Sequence, residues 1–352
     1  PDDRGSEYLM DSINIKDIAR LCGVGVSTVS RAINNHPDIN PDTKNKIMQV
    51  IKEHNYIPNN SARNLKRTDS RAIAVLIKGI SNPFFSKMIS IFEEEIQKKK
   101  YSFILQRVEE QEDEVDIALE LIKEKKPRGI VFLGGFFTHS KEKLEQLSVP
   151  FVLSTIGMTG NLEDSTDYSW VSVDDFAESY KMVDYLCKLG HKKILILAAA
   201  RDDESIGRLR LEGYEKALAD NGIVPDPQLI VYSDERMERY TMDNGYEVMN
   251  RVLQSQMDFT AVYAISDSIA IGACKAIIDQ GKQIPQDYSV AGFDGLDIAH
   301  YYNPSITTIR QPVEEMAETT IKILFDVIKN KAEHQKKVFK ATLVEGQSTR
   351  ML

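Results

Sequence analysis

The apolar and polar positions of this 352-residue chain follow one pattern over most of its length and another near its start. From residue 71 onward, short apolar runs alternate with amphipathic stretches of helical length. The runs predict strands at 72–77, 102–106, 129–133, 151–154, 193–198, 260–264 and 288–292. Near-continuous apolar strands separated by helices indicate parallel sheets covered on both faces. So long a segment predicts two lobes, with a ligand bound between them at the carboxyl ends of the strands.

The pattern between residues 13 and 58 predicts three short helices. Asn14 is a good N-cap for the first helix, and Gly23 ends it. The second helix is predicted over 26–33, and Asn40-Pro41 begins the third. A helix, a tight glycine turn and a second helix are typical of a helix-turn-helix unit.

Val29 and Ile33, four residues apart, predict the buried stripe of the second helix, so its other side faces solvent or a partner. A recognition helix enters the major groove of DNA with its early residues against base edges. On that interpretation Val26, Ser27 and Arg31 contact bases, and Thr28, Ser30 and Asn34 contact phosphates. The alternative is the solvated face of a small helical bundle, and periodicity alone does not decide between them.

The next segment, NYIPNNSARNLKRTD over residues 55–69, begins with a proline break and ends in basic residues. Residues 59–66 could form a helix of about two turns, too short to be stable alone in water. Leu65, flanked by basic residues, suits insertion into a kinked minor-groove step. The alternative is a linker whose Leu65 packs on the following domain.

Charge is distributed unevenly along the chain. Residues 13–67 contain nine Lys or Arg and four Asp or Glu, a net charge of +5, although the whole chain carries −9. A small basic module joined to an acidic body suits a division between binding nucleic acid and another task. No apolar run is long enough for a membrane span, no export signal is recognised, and three widely spaced cysteines favour a reducing, cytoplasmic location.

Enzymatic motifs are not found. The sequence contains no HExxH, Walker A, GxSxG or GxGxxG pattern, and its six histidines lack metal-ligand spacing, so we expect no enzyme, no metal and no cofactor. Polar and aromatic residues instead follow the predicted strands: Asn82, Phe84, Phe85, Arg208, Arg210, Tyr240, Ser266, Asp267 and Asp294. Such groups suit a polyhydroxy ligand. Each also has a structural alternative. Asp267 could have no role beyond capping the helix that follows its strand, and either phenylalanine could belong to the core.

The motifs resemble those of one family throughout. IKDIARLCGVGVSTVSRAIN and NYIPNNSARNLK resemble the helix-turn-helix and hinge helix of the lactose/galactose repressor family, and AISDSIAIG and VAGFDGLDIAHYYNPSITTIRQP resemble its effector domain. The resemblance implies base contacts by Val26, Ser27 and Arg31, and a minor-groove wedge at Leu65 with Ala62 close by. It implies an effector site at Asp294, Arg210, Phe85, Tyr240 and Asp175, with Arg208 at the position of the ligand arginine in some members. Gly25 stands where the family usually has a capping serine, and Ser266 replaces the usual asparagine.

The expected fold is therefore a small all-α helix-turn-helix headpiece followed by an α/β two-lobed, periplasmic-binding-protein-like domain with parallel sheets and three crossovers. We expect a tail or upstream remnant at 1–12, the headpiece at 13–58, a hinge at 59–70 and the effector domain at 71–352. The expected N-lobe is about 71–168 and 298–328, and the C-lobe about 169–297 and 329–352.

The expected function is allosteric transcription regulation. A homodimer would bind a pseudo-palindromic double-stranded operator, and a small-molecule effector, a sugar or sugar derivative, would change operator affinity. The sign of the effect stays open between inducer and corepressor. The alternative is a solute-binding or sensor protein with no role in transcription.

Overall fold

A computed structural model describes residues 13–33, 35–54, 56, 70–156, 168–329 and 332–352. The chain divides into two compact units, residues 1–68 and 69–352. Asn34, Ala62 and Leu65 lie outside the described residues, as does the predicted hinge helix. In the part of the chain that is described, no helix is both long enough and apolar enough to cross a bilayer.

The first unit contains three helices, α1 (Ile15–Cys22), α2 (Val26–Ile33) and α3 (Pro41–Glu53). Asn14 begins α1 because its side chain accepts hydrogen bonds from the backbone of the first turn, while Asp17 accepts one from the backbone of Asn14. Gly23 ends α1 in the left-handed conformation, at φ +69°. The three predicted helices are confirmed.

The core of this unit is built from all three helices. The buried apolar side chains are Ile18, Ala19, Cys22, Val29, Ala32, Ile47 and Tyr56. Val29 is fully buried as predicted, but Ile33 is only partly buried, and Ala32 forms the second buried position of α2. The opposite face of α2 therefore remains at the surface.

The second unit is built from alternating strands and helices. Its strands are β1 (Ala72–Ile77), β2 (Ser102–Arg107), β3 (Gly129–Leu133), β4 (Phe151–Ser154), β5 (Ser169–Val173), β6 (Ile194–Ala198), β7 (Ile230–Tyr232), β8 (Ala261–Ala264), β9 (Ser289–Asp294), β10 (Thr307–Arg310), β11 (Lys336–Phe339) and β12 (Thr342–Val344). Its helices are α4 (Pro83–Lys98), α5 (Glu114–Lys125), α6 (Lys141–Leu144), α7 (Asp175–Lys188), α8 (Ile206–Asp220), α9 (Met242–Gln254), α10 (Asp267–Asp279), α11 (Asp297–Tyr301) and α12 (Val313–Ile328). All seven predicted strands are present within two residues at each end.

The strands form two six-stranded sheets with the same strand order. The first has the order β2-β1-β3-β4-β5-β11 and the second β7-β6-β8-β9-β10-β12. Neighbouring strands are parallel except for β10 and β12, which are antiparallel. In each sheet the strand order reverses beside the first strand, between β1 and β3 and between β6 and β8. Open α/β sheets bind ligands at such a switch point, beyond the carboxyl ends of the strands.

The sheets define two lobes whose limits differ from the expected ones. Strand β5 pairs with β4 in the first sheet, so the first crossover follows Val173, not residue 168. Strand β10 pairs with β9 in the second sheet, whereas α12 packs on α4 and β3–β5 of the first, so the second crossover lies at 311–312. Strand β11 returns to the first sheet and β12 to the second. The three crossovers are confirmed, but β5 and β11 belong to the first lobe and β10 to the second.

Candidate functional sites

Helix α2 presents a mixed polar and apolar surface. Ser27 and Arg31 are exposed, and Val26 is 42% exposed, while Thr28 and Ser30 are partly buried. An exposed valine beside polar groups suits contact with a thymine methyl group and base edges. The structure thus brings the three predicted base-contacting residues together on one accessible face.

Arg31 is held by an ion pair in the described structure. Its Nη1 lies 3.2 Å from Asp38 Oδ2, and His36 Nδ1 lies 2.6 Å from Asp38 Oδ1. Both partners of the Arg31–Asp38 pair are more than half exposed. Exposed pairs contribute little free energy, so a guanine edge could replace Asp38 at small cost. The sequence had not indicated Asp38 as a positioning group.

Gly25 precedes α2 and has room for a side chain. Its carbonyl accepts hydrogen bonds from the backbone nitrogens of Thr28, at 2.9 Å, and Val29, at 3.2 Å. A Cβ placed there would meet Ser27 Oγ at 3.6 Å and Thr28 Oγ1 at 3.9 Å, which are ordinary contacts. Glycine at this N-cap is therefore not required by packing.

A cleft of about 520 Å³ lies between the two lobes of the second unit. On the first lobe it is lined by segments that follow β1, β2 and β3, at residues 78–82, 107–111 and 134–136. On the second lobe it is lined by residues 202–206 and 238–240. Its volume is within the range of small-molecule sites, and its position agrees with the switch-point rule.

At the inner end of the cleft, Arg210 of α8 forms a fully buried charge cluster. Its Nε donates to Asp175 Oδ1 at 2.9 Å, and its Nη1 lies 3.7 Å from Asp294 Oδ1. The guanidinium carbon also lies 3.7 Å from the ring centroid of Phe293. Gln311, in the second crossover, donates from Nε2 to Asp294 Oδ1 at 2.9 Å. The cluster therefore couples α7, α8 and β9 to a crossover.

Burial governs the protonation of this cluster. Burial raises the pKa of Asp294 to about 7, although Arg210 and Gln311 act in the opposite direction. Burial also raises the pKa of Asp175, against the effect of Arg210. Burial disfavours the charged form of Arg210, but the two carboxylates outweigh it and raise its pKa. One guanidinium thus faces two carboxyl groups in a water-poor site, and burial raises the pKa of both.

Three cleft residues combine backbone strain with an unsatisfied polar atom. Thr155, Tyr240 and Asp294 have φ values of +53°, +58° and +116°, in the region that favours glycine. Thr155 Oγ1, the Tyr240 hydroxyl and Asp294 Oδ2 are also buried without a hydrogen-bond partner among the described protein atoms. Each property costs free energy, and such costs gather at functional sites. Their coincidence makes this wall of the cleft the candidate for a polar binding site.

Gly207 allows two of the polar groups on the second lobe to approach α8. A Cβ at this position would lie 2.2 Å from Asp203 Oδ2 and 2.9 Å from the Tyr240 hydroxyl. Both atoms are buried without a partner. Because any side chain at 207 would displace them, glycine keeps an acceptor and a hydroxyl together beside the cleft.

Two ion pairs cross the mouth of the cleft. Arg107 Nη2 of the first lobe lies 3.7 Å from Glu238 Oε1 of the second, and Arg239 Nε of the second lies 3.6 Å from Glu110 Oε2 of the first. We call these the lip ion pairs. Their charges are arranged reciprocally, so that each lobe contributes one cation and one anion.

The remaining effector-site candidates fall into two groups. Asn82, Phe84 and Phe85 lie at the start of α4 and line the inner cleft with Asp175, Arg210 and Asp294. Phe84 and Phe85 are in edge-to-face contact, with ring centroids 5.6 Å apart, and both also belong to the buried core. Core and ligand-facing roles are therefore compatible for the two rings.

Arg208, Ser266 and Asp267 are not among the described residues that line the cleft or its inner end, and their assignment to the effector site stays a prediction. Arg208 is exposed and pairs with Glu212 at 2.8 Å, because two residues of separation put Arg208 and Arg210 on different sides of α8. Ser266 caps α10 by accepting from Ile269 N. Asp267 accepts from Thr308 Oγ1 at 2.6 Å and Leu296 N at 2.7 Å. These bonds tie it to distant residues, and since the cap of α10 is Ser266, the capping alternative for Asp267 is wrong.

Several cleft residues were not predicted: Lys78, Arg107, Glu110, Thr155, Asp203, Glu238, Arg239 and Gln311. Asp203 follows strand β6, so the rule that identified the other candidates could have included it. Thr155 directly follows strand β4, which was predicted, so the same rule could have included it too. Gln311 carries no such signal, because strand β10 before it was not predicted, and it enters the site because the second crossover contacts Asp294.

A helix-turn-helix unit followed by a two-lobed domain with a polar cleft defines a DNA-binding protein of the ligand-responsive class. Two family models match the chain: bacterial regulatory proteins of the lacI family over residues 14–59, and a periplasmic binding protein-like domain over 183–349. The HTH-type transcriptional regulator MalR of Clostridium butyricum is 43% identical over 96% of this chain and 99% of its own. The repressor CytR of Escherichia coli K12 is 31% identical over 89% of each chain.

The chain belongs to the lacI family of bacterial transcriptional regulators, and its relatives are regulators, not enzymes. Among solved structures, the regulator CelR in complex with cellobiose is 25% identical, with a TM-score of 0.68 over 96% of this chain and 99% of its own. A LacI family regulator from Enterococcus faecium with bound ribose is 26% identical, with a TM-score of 0.68 over 80% of this chain and 99% of its own.

Proposed function

We propose that this chain is a homodimeric repressor of carbohydrate-metabolism genes whose operator affinity is controlled by a sugar or sugar derivative bound in the cleft. The observation that carries the effector site is the coincidence of strain and unsatisfied polar atoms at Thr155, Tyr240 and Asp294. Hydroxyl groups of a sugar can both donate and accept, and so could satisfy all three. The cellobiose and ribose complexes of structural neighbours support this ligand class.

Control would pass through the relative position of the lobes. Asn82 and Phe85 lie on the first lobe, and Arg210 and Asp294 on the second, so a ligand that contacts both groups stabilises one degree of closure. A ligand shifts a conformational equilibrium only by its different affinity for the two states. Closure would change the spacing of the two hinges in the dimer, with Leu65 of each chain inserted in the minor groove. Coupling of this kind is typically about 1–3 kcal/mol.

The effector site is tested by thermal shift against a panel of sugars, because a ligand that binds the native state raises Tm by mass action. Tyr240→Phe removes a hydroxyl that has no protein partner, so it should leave the free protein as stable and weaken the sugar shift. Tyr246→Phe is the matched control, because that hydroxyl bonds to Asp279 at the exposed surface. An unchanged sugar response in Tyr240→Phe would remove Tyr240 from the site, and no response to any sugar would refute the ligand class.

The DNA-binding role is tested by selecting sites from a pool of random duplexes. Arg31→Ala should relax the base preference at one position of each half-site. Arg20→Ala, which removes an exposed arginine of α1 paired with Asp17, is the control and should leave the preference unchanged. If Arg31→Ala selects the same sequence as the wild type, then Arg31 does not contact a base.

A further inference from the structure

We propose that the cleft admits uncharged sugars and rejects sugars that carry a phosphate or carboxylate group. This inference rests on the proposed function, and it specifies the chemical class of the effector. It comes from the charges that line the cleft and from the partners that those charges already have.

Among the charged residues that line the cleft in the described structure, carboxylates outnumber cations. Six are carboxylates, namely Glu109, Glu110, Asp202, Asp203, Glu204 and Glu238, and three are cations, namely Lys78, Arg107 and Arg239. An anionic ligand would enter a field of its own sign, and the low-dielectric walls of a cleft strengthen that field. Like charges placed together are a common basis for rejecting a wrong ligand.

Each of the three cations already has a carboxylate partner, and the pair of Lys78 is buried whereas those of Arg107 and Arg239 are more exposed. Lys78 Nζ lies 2.8 Å from Glu114 Oε2, and both side chains are largely buried. Arg107 Nε lies 2.9 Å from Glu109 Oε1, in addition to its pair with Glu238. Arg239 is held by Glu110.

Lys78 is the least available of the three cations. Its partner Glu114 also lies 2.8 Å from His139 Nε2. Although burial of Glu114 acts in the other direction, the bonds from His139 and Lys78 lower the pKa of this carboxyl group. The carboxylate is therefore charged at neutral pH, and Lys78 is neutralised within the wall.

The charges at the inner end of the cleft also disfavour an anionic ligand. Arg210 already faces the two carboxyl groups of Asp175 and Asp294, so a ligand anion there would be a third acidic group beside one cation. The unsatisfied oxygen Asp203 Oδ2 belongs to a carboxyl group that, when ionised, only accepts hydrogen bonds. Sugar hydroxyls supply donors to it, whereas a phosphate dianion supplies only acceptors. The site is thus built to receive donors from an uncharged polyol.

Two carboxylates at the mouth have no ion-pair partner in the described structure and offer a clean test. Asp202 and Glu204 are exposed and line the cleft. The double variant Asp202→Lys with Glu204→Lys reverses two charges at the mouth without changing the buried cluster. The matched control, Glu120→Lys with Glu124→Lys, makes the same net charge change on exposed positions of α5 that do not line the cleft.

The experiment is calorimetric titration of the full-length protein with three pairs of probes: glucose and glucose 6-phosphate, ribose and ribose 5-phosphate, and cellobiose and cellobionate. For every pair that contains a binder, the uncharged member should bind at least about tenfold more tightly. The mouth variant should bind the anionic member about fivefold more tightly than the wild type does, with the gain fading as salt rises. The control should behave as the wild type.

The outcomes separate the two proposals. If an anionic sugar binds as tightly as its uncharged counterpart or more tightly, the charge inference is overturned while the sugar-effector proposal stands. A mouth variant that leaves anion affinity unchanged overturns the inference as well. If no member of any pair binds, the sugar-effector proposal fails, and the charge inference, which rests on it, fails with it.

Discussion

Arg210 donates from Nε to Asp175 Oδ1 at 2.9 Å, and both side chains are almost fully excluded from water. The bond joins the second turn of α8 to the first residue of α7. Since Asp294 lies on the other side of the same guanidinium, the arginine neutralises a site that would otherwise hold two buried carboxylates.

Replacing Arg210 should therefore destabilise the second unit. Arg210→Met leaves Asp175 and Asp294 without their cation, and removing one partner of a buried pair typically costs about 3–5 kcal/mol. Urea unfolding measures the loss. Arg208→Met is the control, because Arg208 forms an exposed pair and should change stability by less than about 0.5 kcal/mol. Equal losses in the two variants would contradict the buried-cluster interpretation.

Stability should depend on pH through the buried carboxyl groups of the second lobe. Burial, reinforced by the charge of Asp294, raises the pKa of Asp267 to about 8, and burial raises that of Asp294 to about 7. The native state holds these protons at pH values where the unfolded chain has lost them. Their contribution to stability is therefore full below about pH 4 and is lost as pH rises to about 8.

Asp294→Asn should remove part of that pH dependence. The amide has nearly the same shape and no charge to bury, so Tm should rise by roughly 2–4 °C at pH 8 and change little at pH 4. Thermal unfolding across this range checks the prediction. A Tm difference that grows toward acid pH would have the wrong sign and would show that Asp294 is stabilised as a carboxylate.

Gly25→Ser should strengthen operator binding. The site has room for the side chain, serine is a good N-cap, and a hydroxyl near the start of a recognition helix can bond to a phosphate. Because no cation is added, the slope of log affinity against log salt should stay unchanged. Gly23→Ser is the control and should destabilise the headpiece by about 1–2 kcal/mol, since Gly23 has φ +69°. A weaker complex with Gly25→Ser would exclude the added contact.

The lip ion pairs should act on closure and not on folding. Glu238→Arg places like charges opposite Arg107, so effector affinity should fall by up to about fivefold with no change in Tm, as expected for exposed pairs. Adding Arg107→Glu restores the pair with reversed polarity and should recover most of the affinity. If the double variant does not recover effector affinity, then Glu238 does not act through its ion pair with Arg107.

The sequence predicted the elements whose local signals were strong and missed those that depend on distant partners. Strands β1, β3 and β6 were identified because they are continuous apolar runs, and the structure buries every residue in them. Strand β5 was missed because two of its five residues are serines, yet Ser169 is buried and bonds to the backbone of Gln335. Strand β11 has two exposed lysines and becomes a strand only by pairing with β5.

The site residues also divide into those with a local sequence signal and those whose role depends on packing. Asp294 and Arg210 were predicted because they follow a strand and begin a helix, and both are in the inner cleft. The sequence could not separate Arg210 from Arg208, because only the packing of α8 decides which side faces inward. Nor could it show that Asp267 is engaged by Thr308, which lies 41 residues farther along the chain.

The three crossovers also constrain how the second unit reaches its native state. Residues 313–352 provide α12 and β11 to the first lobe and β12 to the second. Neither lobe is a continuous stretch of chain, so neither can be excised as an independent fragment. During synthesis from the N-terminus, neither lobe can be completed before residues 313–352 have been made, so the two lobes reach their native state together.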